Sequence, residues 1–392
     1  MPIWIPDFSV ILFWACAISL FYSFLGYPLL IGLLAKLISR RSAASEFESP
    51  PVPVSVILVV HNGKTLIGPR LENLLNQDHP IKEIIVICDG CTDGTPEAVQ
   101  AVANPKVRTI LQPRRSGKSS GLNLGIHNAT SEIVVFADLR QRFRPDTISR
   151  LLENFANPEV GAVSGSLEIK ASLDTTGRGV GSYWNLEKKL RHAESCFDSC
   201  IGCTGAIYAS RLSLLEPIPE DTILDDVVIP MQIALAGYRV LFEPRAIAFD
   251  PQPQDPGLES IRKERTLAGN FQMLFRYPKW LLPWKNRLWL QLLSHKYLRL
   301  TLPFSLATML AANFLLLDRS FYKITFALQV GFYTLAAMAR FTILKHFRIA
   351  SLPAGLLFLN TMVVRGLLSY LFDKKEGVWE NSQASSVIES GK

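Results

Sequence analysis

The chain has 392 residues, 48% of them hydrophobic and 19% charged, with a formal net charge of +7. That is too apolar for a disordered chain, too uneven for a purely soluble one, and long enough for a core domain plus a second part. The basic residues gather at the edges of apolar segments, with no stripe interleaved with aromatics to stack bases. This favours contact with membrane lipid and argues against nucleic acid as a partner.

The first element is apolar from Phe8 to Leu37, with Lys36 near its end. It is long enough to span a bilayer, and no Lys or Arg precedes it as in a secretory leader. Residues 42–51, "SAASEFESPP", read as a linker after this first segment of residues 1–41. Further apolar stretches run from Thr301 to Leu317, Ile324 to Leu344 and Ile349 to Phe372, with a polar tail over residues 374–392. They predict about three C-terminal membrane helices within residues 301–373; a buried helical bundle is the alternative. Lys36, Arg40 and Arg41 after the first span, with Lys345, His346 and Arg348 between the last two, place the middle of the chain in the cytoplasm by the positive-inside rule. The Lys374–Lys375 pair would then lie outside.

Between the apolar ends, residues 52–275 alternate two kinds of pattern. "VSVILVV" (54–60), "EIIVICD" (83–89), "VRTILQ" (107–112) and "EIVVFAD" (132–138) predict buried strands, and residues 66–77, 95–104 and 117–129 predict helices. Such alternation means an α/β fold with a mostly parallel sheet, whose ligands bind beyond the carboxyl ends of the strands. Polar residues stand at those ends: His61 and Asn62, then Asp89, then Asp138. Strands are also predicted over 161–169 and 204–211. In 223–244 a paired carboxylate opens a helix that closes at Gly237 before another strand. Residues 276–300 are expected to lie at the membrane surface.

Four groups of residues could carry chemistry. The turn "CDGCTDGT" (88–95) offers Asp89 and Asp93 to a base and ribose, or serves as an Asx-turn and helix cap. In "RRSGKSSGLNLGI" (114–126), Lys118 stands near a helix start, a place for phosphate; a solvated basic loop is the alternative. Asp225 and Asp226 open a helix, as caps or with one of them as the general base that takes a proton from an attacking hydroxyl. Arg262 and Arg265 share a helix face in "SIRKERTLAGNFQ" (260–272), suited to a leaving pyrophosphate or to anionic lipid. Two C-x-x-C pairs, Cys88/Cys91 and Cys200/Cys203, raise zinc as an alternative, but they are far apart in sequence.

Taken in order, "VSVILVVHNG", "CDGCTDGT", "SGKSSGLNLGI", "FADLRQRFRPD", "GCTGAIYASR", "LDDVVIPMQIALAGYRV" and "RKERT" resemble the membrane-bound family 2 glycosyltransferases over roughly residues 52–270. The resemblance implies a GT-A catalytic domain, Rossmann-like, flanked by transmembrane helices in an inner or plasma membrane. It implies an inverting transferase that takes a nucleotide-diphosphate sugar, with a UDP-sugar as the expected donor, to a polysaccharide or glycolipid acceptor, within a biosynthesis or export complex. Asp89 and Asp93 would meet the nucleotide, and Lys118 would lie near it. Asp138 would stand first in the family's Asp-x-Asp, which binds a divalent metal, Mg²⁺ or Mn²⁺. Asp226 would be the base, with Asp225 in place of the family's Glu. Arg265 would match the Arg of Gln-x-x-Arg-Trp.

The chain departs from that pattern in places. Cys88 stands where many members have Asp, Arg140 replaces the second Asp of Asp-x-Asp, and Arg262 and Thr266 replace the Gln and Trp. Either Arg140 takes part of the diphosphate, leaving one carboxylate for a metal that keeps several waters, or it turns outward to an acid elsewhere. A polyprenyl-phosphate sugar transferase and a catalytically silent subunit of an export complex are the rival functions.

Overall fold

A computed structural model describes residues 4–38, 52–169, 175–250, 256–341 and 348–372. The linker at 42–51, the tail at 374–392, and Lys345 and His346 lie outside the described residues. The chain divides into two compact units. One gathers Ile38–Lys170 and Arg191–Glu259; the other gathers Met1–Leu37, Ala171–Leu190 and Ser260–Phe372. Residues 260–275, read from sequence as part of the catalytic domain, group with the apolar helices.

The first unit is built on one eight-stranded sheet: β1 (Val54–Val60), β2 (Ile81–Asp89), β3 (Val107–Gln112), β4 (Ile133–Ala137), β5 (Arg142–Phe143), β6 (Val160–Ile169), β7 (Ile207–Arg211) and β8 (Arg239–Asp250). Their spatial order is β3-β2-β1-β4-β7-β6-β8-β5. The strands run parallel from β3 through β4. Beyond β4 the sheet is mixed: β7 is antiparallel to both neighbours, β6 and β8 are parallel, and β5 is antiparallel to β8. Six of the eight strands run in one direction, with only β7 and β5 reversed, so the expected mostly parallel sheet holds, strictly parallel in its first half. The short β5 carries too few residues to show a period of two, and it pairs with β8 from far along the chain.

The strands are continuous apolar runs because both faces are covered. Val56, Leu58, Val135 and Ile84 are fully buried, and Ile67, Leu71 and Leu74 of the helix Lys64–Leu75 join them in one core. Each such side chain contributes about 1.5–3 kcal/mol by leaving water. Helices Lys118–Asn128 and Asp225–Leu235 form where expected, the second followed by Gly237 at φ +101°. The helix that begins at Thr95 is shorter than its sequence pattern, ending at Gln100, and Ala103 turns to φ +50°.

In the second unit three described helices are long and apolar enough to cross a membrane: Phe8–Leu37, Trp289–Leu315 and Pro353–Phe372. Ser320–Phe341 is also a helix, with Lys323 near its start and Arg340 near its end. Several polar side chains here are committed to one another. Asn313 donates to Gln329 and accepts from Thr325, and Arg365 lies 2.7 Å from Glu264. Glu187 meets His295 at 2.8 Å and Arg299 at 3.1 Å.

Candidate active site

The parallel register brings the carboxyl ends of β1, β2 and β4 together, and with them the polar residues that follow each strand. Asp89 ends β2. Its two carboxylate oxygens accept backbone N–H groups of Ser116 (2.6 Å) and Gly117 (2.9 Å), so it pins the loop that leads into the Lys118 helix. Gly90 is required beside it: at φ +57° an added Cβ would lie 2.6 Å from the Arg115 nitrogen. Asp93 accepts from the backbone of Lys64 and Thr95, each at 3.0 Å, and from the Thr95 hydroxyl. Both aspartates thus shape the turn; a contact with nucleotide is a further role that the resemblance assigns.

Lys118 lies at the centre of the site. Its ammonium is 3.2 Å from Asp138 Oδ1 and 3.3 Å from Asp225 Oδ2. Burial alone would lower the lysine pKa, but Asp138, Asp225 and Asp226 together outweigh it and raise the pKa, so the amine stays charged. Asp225 is buried and turned to the lysine, while Asp226 is partly exposed. Asp226 lies against Gly205, where an added Cβ would come within 3.2 Å of its carboxylate, and its carbonyl accepts the Cys203 N–H at 2.8 Å. The adjacent acids therefore divide: one closes an ion pair and the other remains reachable.

Three residues that sequence reasoning passed over also belong here. Tyr208 is fully buried on β7, stacked on Phe136 at 4.3 Å, and its hydroxyl has no hydrogen-bond partner. Burial, reinforced by Asp225, Cys203, Asp226 and Asp138, keeps it a neutral phenol. Arg70 is fully buried in the Lys64–Leu75 helix; it donates to the Asp138 carbonyl at 2.9 Å and to Asn73 at 2.6 Å, over the Phe143 ring. Burial, with Arg142 nearby, pushes its pKa down to about 9. Asp250 closes β8 and lies 3.4 Å from Arg140. An acid after an apolar strand was the signal that singled out Asp138, and "IAFD" (247–250) repeats it.

Arg140 therefore pairs with an acid, but it does so largely buried rather than turned outward, at 14% exposure. Arg262 and Arg265 lie on Pro256–Arg276, within the other unit. Among the described residues no group of three or more His, Cys, Asp or Glu side chains is arranged to hold a metal ion. The donor set fits at most a cation that takes one oxygen from Asp138 and the rest from substrate phosphate and water. The six cysteines, including both C-x-x-C pairs, are free thiols.

Residues 55–216 match the sequence model described as Glycosyl transferase family 2. The chain is 25% identical over 229 residues to a poly-beta-1,6-N-acetyl-D-glucosamine synthase of Staphylococcus epidermidis, covering 57% of this chain and 56% of that one. It is 26% identical over 230 residues to the synthase of Staphylococcus aureus strain COL, with the same coverage. The chain thus spans little more than half the length of these curated relatives. Among solved structures, the mannosyltransferase PcManGT from Pyrobaculum calidifontis, in complex with GDP-Man and Mn²⁺, superimposes with a TM-score of 0.65 at 25% identity, over 92% of this chain and 99% of that one. Sequence match and sheet agree: residues 55–216 form a family 2 glycosyltransferase domain in a GT-A-like fold, in a chain that also has helices apolar enough to cross a membrane.

Proposed function

We propose that the protein transfers a sugar, with inversion, from a nucleotide-diphosphate sugar to a hydroxyl of a polysaccharide or glycolipid acceptor at the cytoplasmic face of a membrane. The observation that carries this reading is the Lys118 cluster at the strand ends, with Asp226 beside it on a glycine-backed wall. Asp226 takes the proton of the attacking hydroxyl. It stands in the first turn of Asp225–Leu235, beside Asp225 and the Lys118 cluster. Lys118 neutralises the departing diphosphate in a site partly closed to water. Asp138, held through its carbonyl by Arg70, would carry a divalent cation with the donor's oxygens. When bound, that cation supplies charge stabilisation to the leaving diphosphate. The basic residues near the first span support the cytoplasmic orientation, with three or four membrane passes.

The donor is tested directly. The detergent-purified protein is offered UDP-, GDP- and dTDP-sugars, with membrane extract as acceptor, and nucleoside diphosphate release is measured. The panel must include GDP-mannose, since the solved relative holds it, as well as the UDP-sugars favoured by the sequence reading. Release from one donor, lost in EDTA, is the expected result. Release that survives EDTA leaves the work to Lys118 and Arg140. No release from any donor sinks the reading in favour of a silent subunit.

A further inference from the structure

The chain carries an arginine where its relatives' pattern has a second metal-binding acid, and the fold supplies that arginine with a partner. The β5–β8 ladder pairs Arg142 with Phe249 and Phe143 with Ala248, antiparallel. Continued beyond Arg142, the same register sets Gln141 opposite Asp250, and Arg140 one residue further on, just past the end of β8. Arg140 Nη2 then lies 3.4 Å from Asp250 Oδ2, with the two side chains 14% and 11% exposed. The other terminal nitrogen, Nη1, is buried and has no hydrogen-bond partner. A guanidinium stays charged, and a buried donor left unmade costs about 1–3 kcal/mol, more when charged. A fork held at one tip with the other tip unspent suits an anionic oxygen, which guanidinium binds with defined geometry.

We propose that Asp250 is a positioning residue of the donor site: it holds Arg140 by Nη2 and leaves Nη1 to an oxygen of the donor diphosphate. A tethered guanidinium then does part of the work that a second carboxylate and its cation do elsewhere. This rests on the nucleotide-sugar reading given above. The two aspartates at the strand ends differ in their partners: Asp138 meets Lys118, and Asp250 orients Arg140. Without Asp250 the guanidinium keeps its charge but loses its direction.

The test is binding of UDP and of GDP, by calorimetry in EDTA, to the full-length protein and to Asp250→Asn, Arg140→Gln and the double variant. Thermal unfolding confirms that each is folded, and Asp250→Glu is the conservative control should Asp250→Asn fold poorly. Asp250→Asn is expected to weaken the bound diphosphate about tenfold, the scale of one charge-assisted hydrogen bond. Asp250→Glu should recover most of that loss. In the Arg140→Gln background, Asp250→Asn should add nothing, because the aspartate acts only through the arginine. In turnover, donor KM should rise in Asp250→Asn with kcat changed little. Wild-type affinity in Asp250→Asn, or a loss that persists undiminished in the double variant, overturns the proposal while the donor reading stands. A wild-type protein that binds neither nucleotide, in EDTA or with Mn²⁺ added, overturns both.

Discussion

The two ends of the sheet use charge in opposite ways. At the amino ends of the strands, Glu83 is buried and fully committed. It accepts from Ser55 Oγ at 2.8 Å, from the Thr130 backbone at 2.9 Å and hydroxyl at 2.6 Å, and from Arg108 at 2.6 Å. At the carboxyl ends, two aspartates meet one lysine, the Tyr208 hydroxyl lacks a partner, and Asp226 is reachable. The first arrangement is satisfied and stabilises the fold. The second is left incomplete by the protein's own groups, as expected where a ligand completes it. Substitutions at the two ends should therefore separate into losses of stability and losses of activity.

The largest expected effect is at Asp226. Asp226→Asn should lower kcat by roughly 10²–10⁴, the usual scale of a general base, with little change in thermal midpoint. The comparison is sharpened by the acceptor: a loss under about tenfold would mean that the attacking group is already ionised, as a phosphate is, and needs no base.

Next comes Lys118→Met, which should cost both stability and function. It strips the cation from Asp225, 6% exposed, and from Asp138, 25% exposed. A buried charge deprived of its partner costs up to about 3–5 kcal/mol, less here because Asp138 reaches water. Carboxylates freed from their lysine should also take up a cation more readily. Added Mn²⁺ should then raise the melting temperature of the variant more than that of the wild type, measured by calorimetry. An equal rise in both would show that these carboxylates do not form a cation site.

At the other end, Glu83→Gln should lower stability by about 1–3 kcal/mol and leave kcat within about twofold. The difference should depend on pH. Burial alone would raise the Glu83 pKa, but the hydrogen bonds from Thr130, Ser55 and Arg108 prevail and hold it down to about 2. A depressed folded-state pKa gives stability that is present above the ordinary carboxylate value of about 4.3 and lost as pH falls toward 2. Wild type and variant should thus differ at neutral pH and converge over that acid range. A gap that persists at pH 2 would assign the effect to packing instead.

How much of this was legible in the sequence differs between the same two ends. Asp89, Asp138, Asp225 and Asp226 each stand at a strand end or helix start, so alternation and punctuation found them. Their division of labour was not legible. That Asp225 meets the lysine while Asp226 lies against Gly205 depends on a loop brought in from β7, through contacts distant in sequence. Arg70 gave no signal, because an arginine in a helical pattern reads as a solvated face; only packing over Phe143 reveals it as buried. Tyr208 read as an ordinary strand residue. The change of the sheet from parallel to mixed after β4 was hidden for the same reason: strand direction is set by partners, not by local pattern.

The smallest effect should come from Arg108, and it tests what holds Glu83. Arg108 is 46% exposed, whereas Glu83 is 7% exposed. An ion pair with one arm in water contributes about 0–1 kcal/mol, because solvent screens it and ordering a long side chain opposes it. The donors from Ser55 and Thr130 are sheltered and remain when Arg108 is changed. Arg108→Gln should therefore cost less than about 1 kcal/mol, and the cost should shrink further in high salt. Its melting temperature, compared with that of Glu83→Gln at low and high salt, decides the matter. A loss as large as that of Glu83→Gln would make the amino end a charge pair like the carboxyl end, and the contrast between the two ends would fail. A small, salt-sensitive loss would leave Glu83 held by neutral donors, a type of site that a ligand has no reason to complete.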